Sequence, residues 1–123
     1  MKSKAYKIFV VEDQVVNQML VENLLVDKGY DVRIFPKATE ALSAILVSKP
    51  DLIVLDLMMP EMDGFAFLEQ LRAFTQIPVL VVTARMDVES MNRAVKLGAN
   101  DYMMKPFHTH DFTNKVSRLL QIQ

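Results

Sequence analysis

The sequence predicts an α/β fold, a parallel five-stranded sheet covered by helices on both faces. Three observations predict it. Short apolar runs alternate with segments of helical periodicity, so a βα unit occurs five times. The run Leu52-Ile53-Val54-Leu55 is apolar at every position, as a strand buried on both faces must be. Four of the five runs end in polar residues of complementary chemistry: Glu12-Asp13, Asp56, Thr83 and Lys105. Right-handed crossovers bring the carboxyl ends of parallel strands to one rim. Ligands of open α/β sheets bind at that rim.

Each element has its own warrant. Ile8-Phe9-Val10-Val11 forms the first strand, ending at Glu12-Asp13. The first helix follows, with Val16, Met19, Leu20, Asn23 and Leu24 expected on its core face and Gly29 as its C′ residue. Asp31-Val32-Arg33-Ile34-Phe35 alternates as a less buried or edge strand does. Ala38, Ala41, Leu42 and Ile45 mark the second helix, stopped by Pro50. The third strand ends at Asp56, with Pro60 and Asp63-Gly64 as turn signals beyond it. Phe65, Leu68 and Leu71 set the third helix, and Phe65, Phe67 and Phe74 are expected to pack.

The fourth strand, Val79-Leu80-Val81-Val82, begins after Pro78 and ends in Thr83. A fourth helix carries Val88, Met91, Ala94 and Val95, capped by Asp87 and stopped by Gly98. Asp101-Tyr102-Met103-Met104 is a short fifth strand leading to Lys105-Pro106. Thr109 is the expected N-cap of a last helix bearing Phe112, Val116, Leu119 and Leu120.

The totals narrow the function. With 123 residues, the chain is expected to be one domain, 1–123, without a linker, repeat or output domain. A net charge of -1, from 14 basic and 15 acidic residues, supplies no footprint for nucleic acid or an anionic membrane. No cysteine is present, which excludes disulfide and thiolate chemistry and fits a reducing compartment. No apolar run approaches the roughly 18 residues of a membrane span, and the N-terminal stretch is too short for a signal peptide. The nine methionines are scattered and read as core filler.

The polar rim residues form a coherent chemical set. Glu12, Asp13 and Asp56 near one point repel one another, and a hard divalent cation relieves this. Acidic ligands without Cys or His suit Mg²⁺, with Mn²⁺ as the alternative, better than Zn²⁺. Asp56 is the carboxylate placed to act as a nucleophile toward phosphorus. Lys105 offers a positive point charge and Thr83 a hydroxyl donor for phosphoryl oxygens. Taken singly, each is also an ordinary polar residue at a strand end. Lys105 alone reads equally as a snorkelling lysine, Tyr102 as a strand aromatic, and His108 and His110 as solvated loop or first-turn residues.

Val10-Val11-Glu12-Asp13, Asp56 with Pro60 and Gly64 downstream, Thr83-Ala84 and Lys105-Pro106-Phe107 together resemble the receiver domain of two-component response regulators, over essentially the whole chain. The resemblance implies a flavodoxin-like doubly wound sheet of strand order 2-1-3-4-5 and a cis bond before Pro106. It implies that Asp56 accepts a phosphoryl group from the phosphohistidine of a sensor histidine kinase or histidine phosphotransfer domain. It implies that Glu12, Asp13, Asp56 and the Met58 backbone carbonyl hold Mg²⁺, partly through water. Thr83 and Tyr102 become the switch pair. The face of the fourth helix, fifth strand and fifth helix becomes the output surface, for an output domain, a downstream protein or a homodimer.

Such a protein is a stoichiometric phosphoacceptor rather than an enzyme, and is cytoplasmic. Met58 and Arg85, two residues after Asp56 and Thr83, occupy positions that vary in the family and influence phosphate lifetime. The segment Val15-Val16-Asn17-Gln18 resembles receivers of hybrid kinases and phosphorelays. Three other readings compete. A haloacid-dehalogenase-like phosphotransferase places a second Asp where Met58 stands. A flavodoxin-like flavin carrier needs a phosphate loop where Glu12-Asp13 stands. A pseudo-receiver interaction module usually lacks one of the key residues, and none is missing here.

Overall fold

The strand ends of one parallel sheet position the polar residues singled out above. In the computed structural model, residues 5–59, 62–84 and 87–121 are described. Pro60 and Arg85 lie outside the described residues. The strands are β1 (Lys7–Val11), β2 (Asp31–Phe35), β3 (Leu52–Leu55), β4 (Val79–Thr83) and β5 (Asp101–Met104). All are parallel, in the order β2-β1-β3-β4-β5. The helices are α1 (Val15–Asp27), α2 (Ala38–Val47), α3 (Gly64–Arg72), α4 (Val88–Lys96) and α5 (Thr109–Gln121).

The central strands β3 and β4 are buried at every residue, as their unbroken apolar runs require. Alternate side chains feed two cores. Phe9, Val11, Ile53, Leu55, Val79 and Val81 pack with α2, α3 and Ala94 of α4. Ile8, Val10, Leu52, Val54, Leu80 and Val82 pack with α1 and α5. The edge strand β2 alternates exposed and half-buried residues, as expected. Arg33 on that edge lies over Phe9 and Phe35, 5.5 and 5.1 Å from the ring centroids.

The helix boundaries follow local chemistry. The Asp63 and Asp87 side chains accept the Ala66 and Ser90 N–H groups and start α3 and α4. Gly29 and Gly98 take φ of +88° and +107° just past α1 and α4, conformations that cost a side-chain-bearing residue. Thr109 is the first helical residue of α5, not its cap; the His108 carbonyl accepts the Phe112 N–H.

The core face expected for α1 is corrected. Val21 and Leu25 are buried, whereas Val16 is 78% exposed and Met19 and Leu20 also face solvent. Apolar residues occur almost all round this helix, so periodicity alone does not select a face. On α4, Val88 and Val95 are exposed and Ser90 and Ala94 are buried instead. Phe65 and Phe67 are core residues, but Phe74, beyond the end of α3, is exposed. Among the described methionines only Met103 is buried, so methionine is not the core filler expected.

The orientation of α1 is directly testable. Leu25→Ala is expected to cost about 3 kcal/mol by transfer and cavity terms. Met19→Ala should change stability by less than about 0.5 kcal/mol. Urea unfolding of the two variants measures both, and a reversed ranking would overturn the assigned face.

Candidate functional site

Parallel pairing carries three acidic residues to one point. Glu12 follows β1, and its N–H is held by the Phe35 carbonyl of β2 at 3.0 Å. Asp56 follows β3, and its N–H is held by the Val11 carbonyl of β1 at 3.0 Å. Backbone ladders therefore aim these side chains before any side chain chooses a rotamer. Carboxylate oxygens of Glu12, Asp13 and Asp56 lie within 4.8 Å of one another.

Lys105, one residue past β5, answers this charge. Its ammonium donates to Glu12 Oε1 at 2.5 Å and to Asp56 Oδ2 at 3.2 Å. The backbone N–H of Lys105 is fixed by the Thr83 carbonyl at 2.9 Å, which joins the ends of β4 and β5. A cis peptide bond, Lys105-Pro106, follows, as the resemblance implied.

The remaining carboxylate oxygens are not equivalent. Asp56 Oδ1 accepts the Met58 N–H at 3.0 Å, which folds the chain after Asp56 back on the site. Glu12 Oε2 accepts the Gln14 N–H at 3.0 Å. Asp13 Oδ1 is buried and has no hydrogen-bond partner. Burial pushes the Glu12 carboxyl above its ordinary value of 4.5, and Asp56 adds to the rise; Lys105 and the Gln14 N–H oppose it. A folded-state value above the unfolded one makes Glu12 favour folding most below pH 4.5. That contribution is lost as pH rises through the folded value. Near neutrality the Glu12 carboxylate therefore works against folding, opposed by Lys105.

A metal ion fits this donor set. Three oxygen donors converge, one with nothing to bind, and no Cys or His is among them. Hard oxygen-only donors suit Mg²⁺ or Mn²⁺.

The sequence-derived residues divide in two. Glu12, Asp13, Asp56 and Lys105 form one contiguous group. Thr83 is fully buried at the neighbouring strand end. The Met58 side chain is 54% exposed, while its backbone borders Asp56. Tyr102 is half-buried against the core cluster on the α2–α3 face and is not part of the acidic group. His108 and His110 are exposed, as expected.

Sequence reasoning missed Gln18, whose Nε2 donates to the Glu12 carbonyl at 2.7 Å and ties α1 to the site. It also missed why Gly64 must be glycine. A Cβ there would lie 2.5 Å from Leu57 Cα, beside Asp56. Asp-Gly at the start of a helix was visible as a turn signal, but the close approach was not.

Residues 8–117 match the family model of the response regulator receiver domain. The transcriptional regulatory protein KdpE of Staphylococcus aureus is 36% identical over 110 residues, 89% of this chain and 48% of its own length. The chain spans about half the length of the curated relatives it matches, 48% for the first of them. A receiver domain of a signal transduction histidine kinase from Syntrophus aciditrophicus superposes with a TM-score of 0.87 at 32% identity, covering 95% of this chain and 91% of that one. The receiver domain of a Pseudomonas aeruginosa sensor histidine kinase, with magnesium coordinated in its active-site cleft, gives 0.88 at 26% identity, covering 96% of this chain and 99% of that one.

The unpartnered Asp13 oxygen yields a prediction. Asp13→Asn removes one of three like charges and should raise the metal-free Tm by roughly 4 °C, about 1 kcal/mol. The same change should weaken Mg²⁺ about tenfold, read as a shift in the Mg²⁺ dependence of Tm. A lowered metal-free Tm would contradict the like-charge argument.

Proposed function

Because this chain belongs to the response regulator receiver domain family, we propose that it is a phosphorylatable signalling switch whose phosphoacceptor is Asp56. The observation that carries the reading is the position of Asp56: at the carboxyl end of a central strand, 3.2 Å from Lys105 and within 4.8 Å of two further carboxylates.

The chemistry follows from these groups. A carboxylate oxygen of Asp56 attacks the phosphorus of a phosphohistidine. The new O–P bond forms as the P–N bond breaks, and the electron pair leaves on the imidazole nitrogen, which takes a proton. Ionised Asp56 needs no general base. Phosphoryl transfer asks mainly for positioning and charge neutralisation. Lys105 supplies a cation at the phosphoryl oxygens and the Thr83 hydroxyl a hydrogen bond. Glu12, Asp13, Asp56 and the Met58 carbonyl would hold Mg²⁺, whose charge would offset that of the transferring group. Transfer is stoichiometric, and the chain's only turnover is slow loss of its own phosphate.

A protein phosphodonor must cover this rim. The outer face of α1 fits it: Val16, Met19 and Leu20 are exposed, and Gln18 on the same helix is bound to Glu12. We assign this apolar face to a sensor histidine kinase or histidine phosphotransfer domain. Output is read on the other side. With phosphate on Asp56, Thr83 moves toward it and Tyr102 turns inward, changing the α4-β5-α5 face. A cleft of about 500 Å³ lined by Tyr102, Met104, Phe107, Asp111 and Lys115 lies on that surface. An output domain, a downstream protein or a second copy of the chain would seat there.

Intact mass spectrometry after incubation with acetyl phosphate tests the chemistry. One phosphoryl addition is expected in the wild type with Mg²⁺, with none in Asp56→Asn or without the metal. Addition that survives Asp56→Asn would remove Asp56 from its role. No addition from either acetyl phosphate or a phosphorylated histidine phosphotransfer domain, together with no binding of Mg²⁺, would identify the chain as a constitutive interaction module.

A further inference from the structure

α4 is held differently from the other helices. It alone buries no side chain larger than serine; its buried residues are Ser90 and Ala94. Val88 and Val95 face solvent. Two arginines instead tie it to α3. In the last turn of α4, the Arg93 guanidinium lies 4.2 Å from the centroid of the Phe65 ring. Just past that turn, Arg72 at the end of α3 donates from Nε and Nη2 to the Gly98 carbonyl at 3.2 and 2.8 Å. It also donates to the Thr75 carbonyl at 3.2 Å and to Asn100 Oδ1 at 3.1 Å. Asn100 Oδ1 in turn accepts the Val79 N–H of β4 at 2.8 Å.

The two attachments are unequal. The Arg72 attachment is a network of directed hydrogen bonds on a half-buried guanidinium, anchored to the sheet. The Arg93 attachment is a stacked contact from an exposed residue onto a buried ring. Contacts of that kind are among the weaker ones in proteins.

Phe65 is also placed to report on Asp56. It follows Gly64, whose N–H is held by the Leu57 carbonyl at 2.9 Å. Gly64 sits so close that a Cβ would meet Leu57 Cα at 2.5 Å and the Asp56 carbonyl at 3.0 Å. The first turn of α3 therefore abuts the backbone of the Asp56 strand end directly.

We propose that the Arg93–Phe65 contact is a catch linking the Asp56 strand end to α4 by a route separate from Thr83 and Tyr102. The trigger rests on Asp56 being the phosphoacceptor; the contact itself does not. A shift of the Asp56-Leu57 backbone moves Gly64 and Phe65, the ring slides from under Arg93, and α4 loosens on α3.

Amide hydrogen exchange on the whole chain tests this, comparing wild type, Arg93→Gln, Arg93→Lys, Thr83→Ala and the Thr83→Ala/Arg93→Gln double variant. Without additives, Arg93→Gln should speed exchange across α4 about two- to fivefold, the factor that one exposed cation–π contact supports, and Arg93→Lys should keep most of the protection. With Mg²⁺ and beryllofluoride as a phosphoryl mimic, Thr83→Ala should retain part of the α4 response and the double variant should lose it. Unchanged α4 exchange in additive-free Arg93→Gln would overturn the catch. Loss of the whole α4 response in Thr83→Ala alone would overturn the separate route. Absence of any beryllofluoride effect around Asp56 in the wild type would instead overturn the phosphoacceptor reading and, with it, the trigger.

Discussion

The contact on which the structure turns is the reach of Lys105 across the sheet rim to Glu12 and Asp56, at 2.5 and 3.2 Å. Glu12 and Asp56 are both buried, and carboxylates of like charge are costly to bury together. One ammonium against three carboxylates leaves two negative charges. A divalent cation would cancel those, and under the proposed function a phosphoryl group on Asp56 would then add back about one. The site is thus short of positive charge by the amount a metal ion would supply, and it would accommodate the phosphate once that deficit is met. Breaking one side of such a buried pair usually costs more than the pair itself contributes. Lys105 is therefore part of the fold as well as of the chemistry.

The fold exists to hold that rim. β1, β3 and β4 are buried on both faces, so their register is fixed by two cores at once. A one-residue slip would exchange one core for the other. The same constraint holds Glu12 and Asp56 in place, because the Asp56 N–H bonds the Val11 carbonyl immediately before Glu12. Gly64 adds a second constraint from the helix side by letting α3 approach the Leu57 backbone. Precision at the site is a by-product of core packing rather than of contacts within the site.

What could be read from the sequence tracks this division. The strands, their polar ends and the caps at Asp87 and Gly98 were legible because each is a local signal with one physical solution. The inner face of α1 was not. Val15, Val16, Met19, Leu20, Val21, Leu24, Leu25 and Val26 surround that helix, and only the position of β1 and β2 decides which of them meet the core. The outward turn of Val16, Met19 and Leu20 leaves an apolar face beside the acidic rim, the face proposed above for the phosphodonor protein. Arg72 and Arg93 were silent in the sequence for another reason. An arginine on a helix reads as a solvated charge, and its partners, Gly98 and Phe65, are 26 and 28 positions away. The Lys105 contacts span 93 and 49 positions, and those residues came together beforehand only through the shared rim of parallel strand ends, reinforced by the resemblance to a family.

The distribution of packing also bears on how a small chemical change becomes a surface change. α5 is anchored by Phe112, Val116, Leu119 and Leu120, each contributing about 1.5–3 kcal/mol of burial. α4 has no such anchor, although it faces the same rim loops and forms the outer part of the same surface. A rearrangement within reach of one phosphoryl group, a few kcal/mol at most, would not dislodge α5. It would be of the right size to move a helix whose buried side chains are an alanine and a serine. The rigid strands and the lightly packed helix are complementary requirements of the proposed switch. The first would keep three carboxylates and a lysine where transfer needs them, and the second would let the outcome be seen from outside.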